Sequence, residues 1–143
     1  MAKNYVLVTG SRTWGNGERI GVALEKLAKD TGVIHGAARG ADSLAGFIAR
    51  LQHRPVREFP AKWDELGKDA GPLRNRQMLD EGKPYAVHAF IDDPVKSAGT
   101  ANMVLQALLE EVRVTLHLAD GRTFVCEAQP VSYVAARDPG AGT

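Results

Sequence analysis

The chain has a single cysteine, Cys126, which excludes an intrachain disulfide and leaves no basis for a cysteine-built metal site. A lone cysteine of this kind reads as a small hydrophobe, buried or half-buried. Long apolar runs are missing too, since no stretch approaches the roughly 18 consecutive apolar residues of a membrane span. The opening residues Met1 to Asn4 have no apolar stretch like that of a secretory signal and run directly into a strand-like segment, so the expected location is the cytoplasm. Charge of one sign is not in excess. Lys and Arg number 18 against 17 Asp and Glu, for a formal net charge of +1. That balance argues against a protein that coats nucleic acid through bulk charge. Two common glycine-rich phosphate signatures are absent as well: the GxGxxG spacing does not occur, and no glycine is followed by Lys-Ser or Lys-Thr.

What is present is an ordinary globular composition, 44% hydrophobic and 24% charged over 143 residues, the size of one domain. Tyr5 to Gly10 is a β-branched run closed by glycine, the pattern of a buried strand. Ile20, Leu24, Leu27 and Ala28 then recur at helical spacing and predict a helix up to about Asp30. Val33 to His35 reads as a second strand, Asp42 to Gln52 as a second helix, and Pro55 to Phe59 as a weak third strand. Ala61 to Pro72 is rich in charge and glycine and reads as a loop with room for one helical turn, followed by a helix from Leu73 to Glu81 stopped by Gly82. Ala86 to Ile91 predicts a fourth strand, Ala101 to Glu111 a helix, and Val112 to Leu118 a fifth strand. An Asp120-Gly121 turn then leads into Arg122 to Cys126 as an antiparallel hairpin. Strands alternating with helices specify a Rossmann-like, three-layer α/β fold, with a mostly parallel sheet and a C-terminal antiparallel β-hairpin. The residues from Asp138 onward read as a frayed tail.

In an open α/β sheet the ligand edge lies beyond the carboxyl ends of the strands, and three loops reach it. The first follows the first strand. Gly10 allows close backbone approach, Ser11 offers a hydroxyl, and Arg12 offers a fork for phosphate. The second, His35 to Asp42, places the small residues around Gly36, Arg39 and Gly40 before a helix whose N-terminus favours an anion. Asp42 is suited to capping that helix or to contacting the ligand directly, and His35 reads as a hydrogen-bonded structural residue. The third, Ser97 to Thr100, combines Ser97, Gly99 and Thr100 at a helix start, where the same groups cap the helix or hold a phosphate. A fourth segment puts Arg74, Asn75 and Arg76 at another helix start, where cations oppose the helix dipole and are not explained by stability. Just upstream, Trp63 stands outside the periodic core pattern, placed to stack on a base or to pack over the sheet edge.

These segments resemble the SLOG superfamily, specifically its YspA-like, cpYpsA-related branch. The resemblance is carried by Val8-Thr9-Gly10-Ser11-Arg12, by His35-Gly36-Ala37-Ala38-Arg39-Gly40-Ala41-Asp42 and by Pro60-Ala61-Lys62-Trp63. It continues through Gly67 to Met78 and Ala98 to Met103 and covers about residues 4–118. It implies a nucleotide-binding unit over residues 1–118, with residues 119–143 as a hairpin strand and flexible tail. The DNA-processing DprA proteins have elements similar to Arg12, Arg39 to Asp42 and Arg74 to Arg76. LOG-type phosphoribohydrolases have one similar to Arg74-Asn75-Arg76-Gln77-Met78.

One departure bears on chemistry. LOG-type enzymes carry an acidic pair after their glycine-rich loop, where this chain has Asn102 and Met103. Amides and thioethers take up no proton near neutral pH, so that acid–base role is missing. The expectation is therefore binding or sensing of a nucleotide-derived phosphate ligand, whether nucleotide, NAD-like or ADP-ribose-like, without a further cofactor or metal. The alternative is cleavage of a base–ribose bond, with Arg74 and Asp92 as the candidate catalytic residues. A lesser alternative is single-strand DNA binding through Arg12, Arg39, Arg74 and Arg76. The resemblance also implies a homodimer or higher homo-oligomer, and Thr123 to Ala128 supplies an apolar edge strand suited to pairing with a second copy.

Overall fold

A computed structural model describes residues 4–128; the tail expected from Asp138 lies outside them. Six strands form one sheet in the order β3-β2-β1-β4-β5-β6. They are β1 (Tyr5–Gly10), β2 (Gly32–His35), β3 (Val56–Glu58), β4 (Ala86–Ile91), β5 (Arg113–Leu118) and β6 (Thr123–Cys126). The first five run parallel, and β6 returns antiparallel to β5 with Thr115 opposite Val125. Side chains alternate across the pleat, which separates two cores. Val6, Val8 and Phe90 pack under α1 (Gly17–Glu25) and α2 (Ala41–Leu51). Leu7, Val87 and Ala89 pack under α4 (Ala70–Gly82) and α5 (Ala98–Leu109). Cys126 is half-buried against this second core, as a small hydrophobe would be. No helix among the described residues is long and apolar enough to cross a membrane.

The sheet order reverses between β1 and β4. Connections from β1 leave to one side and those from β4 to the other, so a crevice opens above the ends of these two neighbours.

Three helix boundaries differ from the sequence expectation by three residues or more. α1 ends at Glu25 rather than near Asp30, because the buried Arg54 guanidinium caps it by donating to the carbonyls of Leu24 (2.7 Å), Ala28 (2.7 Å) and Thr31 (3.1 Å). The helical turn expected within Ala61 to Pro72 is the short α3 (Trp63–Leu66); a 3-10 turn follows it, and α4 starts at Ala70 rather than Leu73. Pro72 is accommodated in the first turn of α4, where it forfeits no intrahelical bond. α5 likewise begins at Ala98, three residues before the expected start, and ends at Leu109.

Candidate functional site

The loops after β1 and β4 are joined directly by their side chains. The Asp92 amide donates to Ser11 Oγ (3.0 Å), and the Ser11 and Ser97 hydroxyls pair at 2.9 Å. Ser97 Oγ in turn donates to the Asp93 carbonyl (2.7 Å). The loop after β2 closes on the same place, with the Ala41 amide donating to the Ser11 carbonyl at 3.2 Å. Gly40 makes this approach possible. Its φ is +75°, and a Cβ there would lie 2.3 Å from the Ser11 carbonyl oxygen.

The result is a cleft in two compartments. The inner one, about 280 Å³, is lined by Thr9, Gly10, Ser11, Arg12, Asp42, Arg74 and Asn75, together with Lys96 to Thr100 at the start of α5. The outer one, about 310 Å³, is lined by Gly36 to Arg39, Pro60, Ala61 and Trp63. Arg12, Ala38 and Arg74 belong to both. The first turn of α5 faces the inner compartment with backbone amides that have no intrahelical partner, the arrangement that attracts an anion.

Arg74 lies across the junction. Its guanidinium donates to the Gly36 carbonyl and, at 3.4 Å, to the Phe59 carbonyl, while Nε donates to Asn75 Oδ1 at 3.0 Å. A Cβ on Gly36 would sit 2.3 Å from Arg74 Nη1, so the glycine makes room for the guanidinium rather than for the ligand. Burial lowers the proton affinity of Arg74, and Asp42 opposes that shift; the group stays charged at physiological pH.

Asp42 is 4% exposed and does not cap α2. The capping role expected from its position is corrected here, because the residue lies one step inside the helix and Gly40 occupies the cap. Its Oδ2 instead accepts the Gly36 amide at 2.9 Å, pinning the β2–α2 loop. Burial pushes its pKa up to about 6, against the opposing pull of Arg74, the Gly36 and Ala38 amides and Arg12. Among the described residues it is the one carboxyl group lining either compartment.

His35 takes the structural role expected of it. Its Nδ1 accepts the Ala37 amide at 2.9 Å, which places the ring proton on Nε2, 3.6 Å from Glu58. That bond holds Ala37 in the left-handed region at φ 59°. An L-residue there is strained, so Ala37→Gly is expected to raise the unfolding free energy by about 0.5–1 kcal/mol in denaturant titrations.

Of the residues expected at the site, Gly10, Ser11, Arg12, Asp42, Arg74, Asn75, Ser97, Gly99 and Thr100 line the inner compartment. Gly36, Arg39 and Trp63 line the outer one, and Gly40 supports the cleft from behind without lining it. Two expected residues lie elsewhere. Arg76 forms ion pairs with Asp80 (2.8 Å) and Glu110 (2.7 Å) and lines neither compartment. Asp92 accepts the Thr13 hydroxyl at 2.8–2.9 Å and also lies outside both. Lys96 was not singled out in the sequence, although it directly precedes Ser97; it lines the inner compartment. Asn102 is tied into an amide network, its Oδ1 accepting from Asn75 Nδ2 (3.0 Å) and Gln106 Nε2 (2.8 Å). Among the described residues no group of three His, Cys, Asp or Glu is placed to hold a metal ion.

Comparison with known proteins fits this geometry. Residues 5–65, which supply β1, both glycine-rich loops and the start of α3, match the YspA, cpYpsA-related SLOG family. The gene 61 protein of Mycobacterium phage D29 is 37% identical over 112 residues, covering 71% of this chain and 86% of that protein. The chain belongs to the YspA, cpYpsA-related SLOG family. No solved structure matches it. Membership in this SLOG family carries a nucleotide-related binding or modifying role. The segments of this SLOG protein beyond the matched stretch, namely Arg74-Asn75 and Lys96 to Thr100, complete the inner compartment.

Proposed function

We propose that the cleft binds a nucleoside phosphate, with the phosphate in the inner compartment and the base in the outer one. The observation that carries this reading is the continuity of the two compartments through Arg12, Ala38 and Arg74. Each compartment alone sits at or below the small end of ligand pockets, which run from about 300 to 1,000 Å³. An elongated ligand with one anionic and one flat aromatic end fits the pair. The anionic end meets the backbone amides at the start of α5 and the Arg12 and Arg74 guanidinium groups. The aromatic end meets Trp63, which is 48% exposed and rests against Gly71, leaving ring surface free for stacking.

Binding without turnover is favoured over base–ribose cleavage through Arg74 and Asp92. Arg74 lines the cleft but stays charged near neutral pH, Asp92 stands outside it on Thr13, and Asn102, where the LOG-type enzymes carry an acid, takes up no proton. DNA binding through four arginines loses support because Arg76 is committed to Asp80 and Glu110.

Calorimetric titration with the four common ribonucleoside 5′-monophosphates tests the reading. At least one is expected to bind with one-to-one stoichiometry, and Trp63→Ala is expected to weaken it about tenfold, the loss of one stacked base. Failure of all four to bind, or equal affinity in Trp63→Ala, would remove the two-compartment assignment.

A further inference from the structure

Resting on that reading of the cleft, we infer that a phosphate monoester enters the inner compartment together with one proton taken from solvent, and that the Asp42 carboxyl carries it. The compartment holds a negative group of its own. Asp42 faces Arg74 from α4, Arg12 from the β1–α1 loop and the Gly36 and Ala38 amides from the β2–α2 loop, with Lys96 lining the same space from the β4–α5 connection. Even among these cations and donors, burial already holds the carboxyl near the balance between its two forms. A compartment of about 280 Å³ leaves a phosphate no position far from it. Two anions so close in a partly dry site cannot both keep full charge, so the bound state retains a proton that the free states lack.

The Gly36 amide holds the carboxyl at Oδ2, and the proton that the carboxyl takes up is donated to a phosphate oxygen. In this role Asp42 changes from an obstacle to anion binding into a hydrogen-bond donor for the anion. No bond to carbon or phosphorus forms or breaks.

The consequence is a pH-linked affinity with a defined sign. Binding takes up a proton, so affinity falls as pH rises above the pKa values of the free partners, about 6 for Asp42 and about 6 for a phosphate monoester. Phenyl phosphate is a suitable probe, because it carries a phosphate monoester and an aromatic ring without committing to a base. Its dissociation constant is followed through the Gly10, Gly36 and Gly99 amide chemical shifts. In the wild type it is expected to rise about tenfold per pH unit between pH 7 and 8.5. In Asp42→Asn, which still accepts the Gly36 amide, it is expected to stay flat over that range and to be the lower of the two at pH 8.5. A flat wild-type profile with the same amides perturbed would overturn the inference and leave the cleft assignment standing. Equal slopes in wild type and variant would place the proton elsewhere and overturn it as well. Absence of any shift at these amides would sink the cleft assignment itself.

Discussion

Replacing Arg74 by alanine is expected to weaken nucleoside monophosphate binding about 100-fold, or about 3 kcal/mol, the scale for removing a partly buried charged fork from an anion. The size of the effect follows from its position at the junction of both compartments, held by the Gly36 and Phe59 carbonyls and by Asn75. Alanine removes the charge facing the phosphate, leaves the Gly36 carbonyl without the guanidinium and leaves Asp42 without its strongest counter-charge. Arg74→Lys keeps the charge but loses the planar fork, so an intermediate loss of about tenfold is expected. Arg76→Ala is the internal control. Its guanidinium is paired with Asp80 and Glu110 outside the cleft, and affinity is expected to change less than about twofold. Calorimetric titration of the three variants checks the order. An Arg76→Ala loss equal to that of Arg74→Ala would show that the pair acts as a surface patch.

Asp42→Asn is expected to stabilise the folded chain at pH 7.5 by about 2–3 kcal/mol, because a buried carboxylate whose pKa has risen from 3.8 to about 6 is disfavoured in its charged form. The sign follows from linkage. The folded-state value lies above the unfolded one, so the wild type gains stability as pH falls from about 6 towards 3.8. The advantage of the variant is therefore greatest above pH 7 and closes near pH 4. His117 works in the opposite direction. Burial, then the adjacent His88 with its Nδ1 3.0 Å from His117 Nε2, pushes its pKa down to about 4, so stability is lost as pH falls from 6.5. In the wild type the two contributions offset each other between about pH 6 and 4. In Asp42→Asn the loss at His117, in the same direction as that at the buried His35 and the half-buried His88, is no longer offset and the acid limb steepens. Denaturant unfolding at half-unit pH intervals gives the difference curve directly. A difference that is negative at pH 7.5, or that does not vary with pH, would mean that the Asp42 carboxylate is not held at a cost to stability.

The fold was legible because its signals are local and repeated. The β-branched runs from Tyr5, Val33 and Ala86 and the Asp120-Gly121 turn placed most of the sheet correctly. The convergence of three loops followed from the general rule for ligand edges, and the Ser11–Ser97 pair realises it. What escaped depends on contacts distant in sequence. Arg54 ends α1 from 26 to 30 residues away, and nothing in the helix itself marks that stop. Asp42 looks like a cap in sequence, yet its environment is set by Gly36, Arg74 and burial. Arg74 and Arg76 are equivalent on paper. Two residues apart on a helix, they face different directions, and only the packing of α4 against α5 decides which one meets the cleft.

One ligand is expected to occupy both compartments, phosphate inward and base outward. The most direct test follows amide and indole chemical shifts during titration with the tightest-binding ribonucleoside 5′-monophosphate. Gly36 and Gly99 amides and the Trp63 indole are expected to shift together along a single saturation curve, with the His88 and His117 resonances unmoved. Shifts confined to His88 and His117, or a Trp63 indole that does not respond while Gly99 saturates, would contradict it.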